Sequence, residues 1–304
     1  DLKSYDLVVT SPGIPLTAPI LKAAKEAGVP IIGELEAGAQ VSRAPLYAIT
    51  GTNGKTTTTT LIGEIFKNFG KTAYVVGNIG YPFTACAAKA TAEDVAVAEV
   101  SSFQLETIDT FHPHVAVMCN ITEDHLNRHG TMEEYIRIKE RIFENMGKDD
   151  WAVLNYDDEI VRGMAQRVHC NVAYFSRKQM VENGACVENG EVVFVLDGKK
   201  KRVMDLFNQI PVVNADVVTG FSVCVLMIVL GVRTAGYVQL TREEAATTPT
   251  AEPVGGNVMV VTPDPNAPTA EPVLKNGAQG DDVTNLQSRL KTLGYYSGEI
   301  DGQF

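Results

Sequence analysis

The stretch from Leu46 to Thr60, LYAITGTNGKTTTTT, limits what this chain can become more than any other. Leu46-Tyr47-Ala48-Ile49 reads as a short buried strand. It breaks into a turn of small residues and then into a helix carrying Leu61, Ile62, Ile65 and Phe66. Strand, glycine turn and helix in that order make a phosphate-binding loop. Gly51 and Gly54 let the backbone turn tightly, so that N–H groups converge on an anion at the helix N-terminus, where the helix dipole also favours negative charge. Lys55 supplies a point charge for the β/γ-phosphates, and the Thr56 hydroxyl can ligate Mg²⁺. The loop departs from the general pattern G-x-x-x-x-G-K-[ST] at Ile49, where a glycine is expected.

Around this loop the chain alternates strand and helix, which implies an α/β fold with a parallel sheet. Residues 1–45 read as one βαβ step: Leu7-Val8-Val9, the turn Ser11-Pro12-Gly13-Ile14-Pro15, a helix from Ala18 to Ala27 closed by Gly28, and Val29 to Ile32. After the loop come a strand Thr72–Val76 with Gly77-Asn78-Ile79-Gly80, and a strand Asp94–Val100. Glu99 stands at the C-terminal end of the latter, where open α/β sheets place ligands and where a hard cation would explain an acid. A further strand, Val115–Cys119, runs into Asn120-Ile121-Thr122-Glu123-Asp124-His125. His125 and His129 have helical metal-ligand spacing, but no H-E-x-x-H accompanies them, so zinc carries little weight. An amphipathic helix follows at Tyr135–Phe143, then the strand and loop Trp151–Asp158. From Val172 to Val203 short strands alternate with Asn-Gly or Asp-Gly turns at 183–184, 189–190 and 197–198, which predicts a small antiparallel edge.

Bulk properties exclude some classes. With a net charge of −11, and KKKR at 199–202 as the one basic cluster, no stripe exists to neutralise nucleic-acid phosphates. Cys86, Cys119, Cys170, Cys186 and Cys224 are widely spaced with no C-x-x-C pair, so neither a disulfide framework nor a zinc site is expected. The catalytic part is expected to be cytoplasmic.

The wording T-G-T-N-G-K-T-T-T resembles the ATP loop of the Mur ligases, ATP-dependent amide-forming enzymes of peptidoglycan precursor synthesis. S-P-G-I at 11–14, G-N-I-G at 77–80 and S-S-F-Q-L-E at 101–106 resemble the branch that adds D-glutamate to UDP-N-acetylmuramoyl-L-alanine. They argue against other Mur ligases and folylpolyglutamate synthases. The resemblance implies that Gly51, Thr52, Asn53, Gly54, Lys55, Thr56 and Thr57 bind ATP. It implies that Ser11, Gly13, Asn78 and Ser101 face substrate, and that Thr56, Glu99 and His125 hold Mg²⁺. Lys139 occupies the place of a family lysine that is carbamylated and joins the metal site, so Lys55, His125 and Lys139 are the expected catalytic groups. For Ser11 and Gly13 a plain helix-capping turn is an equal reading.

The resemblance is specific over about residues 5–160 and weak to 204. Residues 1–45 would be a partial UDP-binding domain and 46–204 the central ATP-binding domain. Within 205–240, the uncharged run Val217 to Val232 is slightly short for a membrane span, which needs about 17–25 residues. It reads either as the closing helix of the ATPase domain, with Asp216-Val217-Val218-Thr219 where the family has N-x-x-N, or as a span with KKKR on the cytoplasmic side. Residues 241–273 are Pro/Thr/Ala-rich with TAEP twice, which predicts a disordered linker. Residues 274–304, with G-D-D-V-x-x-L-Q and L-G-Y-Y-x-G-x-I-D-G, resemble the start of a peptidoglycan-binding type 1 module. A span would place ligase and wall-binding module on opposite membrane sides. The chain begins at Asp1 and closes on Gly302-Gln303-Phe304, so a fragment or fusion is expected, lacking the C-terminal ligase domain. A non-catalytic, membrane-tethered peptidoglycan-binding protein carrying an inactive ligase half is the rival expectation.

Overall fold

Alternation along the central strands builds a sheet covered on both faces. In the computed structural model, which describes residues 2–196 and 198–201 and the backbone of 202–205 and 258–261, Leu46 and Ala48 of β3 (Leu46–Thr50) join one apolar layer, and Tyr47 and Ile49 join the other. The same division holds in β5 (Val95–Glu99), with Ala96 and Ala98 against Val95 and Val97. It holds again in β6 (Val115–Met118). These strands are buried throughout, as parallel strands with helices on both faces must be.

In chain order the first unit contains β1 (Leu7–Thr10), α1 (Pro19–Glu26), β2 (Ile31–Gly33) and α2 (Glu34–Val41). After β3 come α3 (Lys55–Asn68), β4 (Ala73–Gly77), α4 (Thr84–Ala87), β5, α5 (Ser102–Leu105), β6, α6 (Leu126–His129) and α7 (Met132–Glu140). Then follow β7 (Trp151–Asn155), α8 (Glu159–Met164), β8 (Asn171–Ser176), β9 (Gly184–Glu188), β10 (Glu191–Leu196), β11 (Lys199–Asp205) and β12 (Val258–Val261).

Nine strands form one sheet in the order β11-β10-β9-β8-β7-β6-β3-β5-β4, parallel from β4 to β9 and antiparallel from β9 to β11. From β3 the chain crosses to the edge strand β4, returns to β5 between them, and then passes to the other side of β3 into β6, β7 and β8. The crevice beyond the carboxyl end of β3 is therefore a topological switch point, the usual ligand position in such sheets. Lys199, Lys200 and Lys201 of the basic cluster are exposed on β11, the outer strand among the described residues. Lysines there discourage pairing with another chain.

Two expectations are corrected. β8 and β9 pair in parallel, so Asn183-Gly184 is not a hairpin turn; Asn189-Gly190 is, with φ of 50° and 81° as a two-residue turn between right-twisted strands requires. Inside the segment 241–273, read as a disordered linker, β12 pairs in parallel with β1, Leu7 against Val258 through Thr10 against Val261. The β-branched run there finds an open sheet edge, a long-range event that composition does not report. β12, β1 and β2 make a separate three-stranded sheet. No helix among the described residues is long and apolar enough to cross a membrane, and 217–232 and the module at 274–304 lie outside them.

Glu36 ties α2 to the strand connection before β6. It is fully buried, and its carboxylate accepts bonds from the main-chain N–H groups of Asp109, Thr110 and Phe111 (each 2.9 Å), from Thr110 Oγ1 (2.6 Å) and from Gln40 Nε2 (2.8 Å). Burial pushes its pKa up, but the bonds from Thr110, Asp109 and Gln40 outweigh that and hold the carboxyl below its ordinary value. Glu36→Gln would turn a donor toward these N–H groups and is expected to cost roughly 3 kcal/mol of stability, read by denaturant unfolding at pH 7. The folded pKa is depressed, so this contribution is complete above the unfolded value of 4.5 and is lost as pH falls through the folded one. Wild type and variant should therefore converge in acid.

Candidate functional site

The loop leaving β3 is shaped by two glycines in left-handed conformations, Gly51 at φ 138° and Gly54 at φ 82°. A Cβ on Gly51 would meet Cys119 Cβ at 2.9 Å and Asn120 N at 3.1 Å, so the loop lies directly on the end of β6. Gly54 is the N-cap of α3, whose first amides face outward from the loop without intrahelical partners. Helix α3 opens on five consecutive threonines, poor helix formers; Thr59 returns its hydroxyl to Lys55 O at 2.9 Å, and Thr58, Thr59, Ile62 and Phe66 are buried against the sheet. Packing therefore overrides propensity here. Thr56 and Thr57 are exposed at the helix start.

Two lysines converge on the loop. Lys55 Nζ donates to Gly51 O (3.0 Å) and Thr52 O (2.7 Å). Lys139 Nζ, from α7 on the other side, donates to the same Gly51 O (2.9 Å) and to Thr50 Oγ1 (3.3 Å), and lies 5.1 Å from the centre of the Tyr135 ring. Lys139 is 2% exposed. Burial, and then the positive charge of Lys55, lower its pKa to about 7, although Asp124 and Glu99 pull the other way. A substantial share of neutral amine is thus present near neutral pH. Cys119, fully buried beneath the loop, has its thiol pushed up to about 11 by burial and is an inert packing group.

Glu99 ends β5 beside the loop, in register with Ile49 and Gly77. It is 2% exposed; Oε1 accepts from Asn78 Nδ2 at 2.8 Å, while Oε2 is buried with no hydrogen-bond partner. Asn78 also donates its main-chain N–H to Glu99 O at 2.8 Å. A buried carboxylate oxygen left open in this way fits a cation ligand, and Mg²⁺ is commonly held by one or two carboxylates plus substrate phosphates. Among the described residues no group of three His, Cys, Asp or Glu side chains could hold a metal ion unaided. The residues present therefore fit a metal shared with bound phosphate.

The remaining expected positions are less concentrated. His125 is half-exposed at φ 51°, a left-handed conformation unusual for a side chain of its size; it caps α6, reaches Asp124 at 3.4 Å and lies against Phe103. Ser101 forms a capping box with Gln104, which occupies its hydroxyl and main-chain N–H in starting α5. Ser11 and Gly13 sit in the turn after β1, on the smaller sheet. The structure also shows groups that sequence reasoning passed over. Asn120 bonds the main chain of Asn53, and Tyr135 OH lies 3.1 Å from Thr52 Oγ1. Asn120 stood at the head of a motif quoted for its histidine, and no local spacing marked it.

Gly77 is held by close approach as well as by its φ of 94°, because a Cβ there would run into Glu99 O. Gly77→Ala is expected to cost roughly 3 kcal/mol and to displace Glu99, seen as a lower unfolding midpoint together with weaker Mg²⁺-dependent nucleotide binding. Unchanged values of both would contradict this geometry.

Residues 49–220 match the Mur ligase middle domain, and residues 279–304 match a peptidoglycan binding domain family. The chain is 48% identical over 205 residues to UDP-N-acetylmuramoylalanine--D-glutamate ligase of Thermoanaerobacter sp. (strain X514), covering 67% of this chain and 45% of that one. It is 50% identical over 206 residues to the enzyme of that name from Caldanaerobacter subterraneus subsp. tengcongensis, covering 68% and 46%. The chain thus spans a little under half the length of these relatives. Among solved structures, UDP-N-acetylmuramate:L-alanyl-gamma-D-glutamyl-meso-diaminopimelate ligase from Neisseria meningitides superposes with a TM-score of 0.53 at 14% identity, over 81% of this chain and 80% of that one; this likeness is one of fold.

Proposed function

We propose that this chain, which belongs to the Mur ligase family, binds ATP on the loop 51–57 and contributes to adding D-glutamate to UDP-N-acetylmuramoyl-L-alanine. Membership rests on a middle-domain match over more than half of its residues. The observation that carries the functional reading is the convergence of Lys55 and Lys139 on Gly51, with the charge of Glu99 acting on Lys139.

In this reading the substrate carboxylate attacks the γ-phosphorus of ATP, giving an acyl phosphate and ADP. The amine of D-glutamate then attacks the acyl carbon, and phosphate leaves through a tetrahedral intermediate. Lys55 and the first amides of α3 hold the transferred phosphate and neutralise its charge. Thr56 and Glu99 would hold Mg²⁺, which when bound supplies further neutralisation of phosphate oxygens. Asn78 orients the Glu99 carboxylate through its 2.8 Å bond. Lys139, with a pKa of about 7, offers a neutral amine near pH 7 that can add to CO₂, forming an N–C bond and releasing one proton. The resulting carbamate would convert a buried cation into a metal-binding anion beside the loop, and His125 is assigned to the same metal by resemblance. Ser11, Gly13 and Ser101 are assigned to the substrate side by resemblance, and the ligase part is placed in the cytoplasm.

Calorimetry with MgATP and phosphate release with UDP-N-acetylmuramoyl-L-alanine test this. Wild type should bind MgATP, and Lys55→Ala should weaken binding by at least about tenfold, the loss of a charged hydrogen-bonding group. Release dependent on D-glutamate establishes ligation by this chain, whereas absent nucleotide binding refutes the reading. A ¹³C-bicarbonate-derived carbamate resonance, lost in Lys139→Met, tests the modification. The match over 279–304 supports a second reading, wall binding. Retention on purified sacculi without turnover would favour a peptidoglycan-binding protein carrying an inactive ligase half.

A further inference from the structure

Asn120, just past β6, fastens the phosphate loop through both its main chain and its side chain. Asn120 O accepts the N–H of Thr52 at 2.9 Å. Its side-chain Oδ1 accepts the N–H of Asn53 at 2.8 Å, and its Nδ2 donates to Asn53 O at 3.0 Å. The amide thus pairs with both main-chain polar groups of Asn53, as a neighbouring strand would. Two residues on, the N–H of Thr122 donates to Thr52 Oγ1 at 3.0 Å, which adds a second stitch between the same segments.

This pairing has a consequence for the anion. The amides of Thr52 and Asn53 are occupied, so the N–H groups at Gly54 and the first turn of α3, the end favoured by the helix dipole, are left to face a phosphate. We propose that Asn120 is a positioning residue for phosphate binding, which holds the crown of the loop so that the anion is directed to the N-terminal amides of α3. The inference rests on the nucleotide-site reading above and adds to it a residue that does not itself touch the ligand.

The test uses the full chain and inorganic tripolyphosphate, which engages the loop without a base or ribose. Asn120→Ala should weaken tripolyphosphate binding about tenfold, the effect of two lost hydrogen bonds on a loop that must then be ordered on binding. The control is Asn155→Ala. Asn155 Nδ2 donates to Cys119 O at 2.8 Å, so that variant removes an amide tie at the root of the same segment without touching residues 51–54. Its tripolyphosphate affinity should stay at the wild-type value even if its unfolding midpoint falls. Should Asn120→Ala fold poorly, amide hydrogen exchange of wild type is decisive, with the Asn53 amide expected to be protected despite its exposed position. Equal losses in both variants, no loss in Asn120→Ala, or rapid exchange at Asn53 would overturn the proposal. Wild type failing to bind tripolyphosphate would instead overturn the nucleotide-site reading on which it stands.

Discussion

A buried amine beneath an anion-binding loop is the constraint around which this molecule is arranged. Lys139 cannot remain fully charged in a space shared with Lys55 unless something opposes both cations, and among the described residues the nearby opposing charges are Asp124 and Glu99. Neutralisation of Lys139 near pH 7 is one response to that conflict, and an incoming polyphosphate or a new negative group on the lysine is another. The sheet supplies the frame. β3 delivers Gly51 to the switch point, β5 delivers Glu99, β6 delivers Asn120, and α7 lays Lys139 across from them.

The loop itself is less a freestanding motif than one side of a seam. Its lower edge presses on Cys119, its carbonyls take the two lysines, and its crown is paired with Asn120. The two lysines satisfy the Gly51 and Thr52 carbonyls, while the Asn120 pairing lies on the exposed side of the loop. Glu99 Oε2, at the end of β5 beside the loop, is buried without a hydrogen-bond partner.

The elements were legible in the sequence to different degrees. Strand–loop–helix at 46–68 could be read from an apolar run, two glycines and a lysine, because the phosphate-loop geometry depends on neighbouring residues. The parallel β8–β9 pairing could not, since Asn183-Gly184 satisfies the hairpin signal equally well and only the packing of β9 against β8 decides the direction. β12 was hidden within a Pro/Thr-rich stretch because its partner, β1, lies some 250 residues earlier. Ser101 was singled out as a contact residue, and its visible work is the capping of α5.

Lys55, Glu99 and Lys139 were singled out from position and resemblance, but their relation was not legible. That two amines share one carbonyl, that burial and the charge of Lys55 lower the pKa of Lys139, and that Asn78 bonds Glu99 follow from approach between segments tens of residues apart. Local chain chemistry was sufficient to say that a glycine turn joins strand to helix at 51–54 and that an α/β sheet carries it, because turn geometry and side-chain periodicity act over a few residues. Charge state and orientation at the site were settled only on folding, because burial and Coulomb interaction depend on distances that no spacing along the chain encodes.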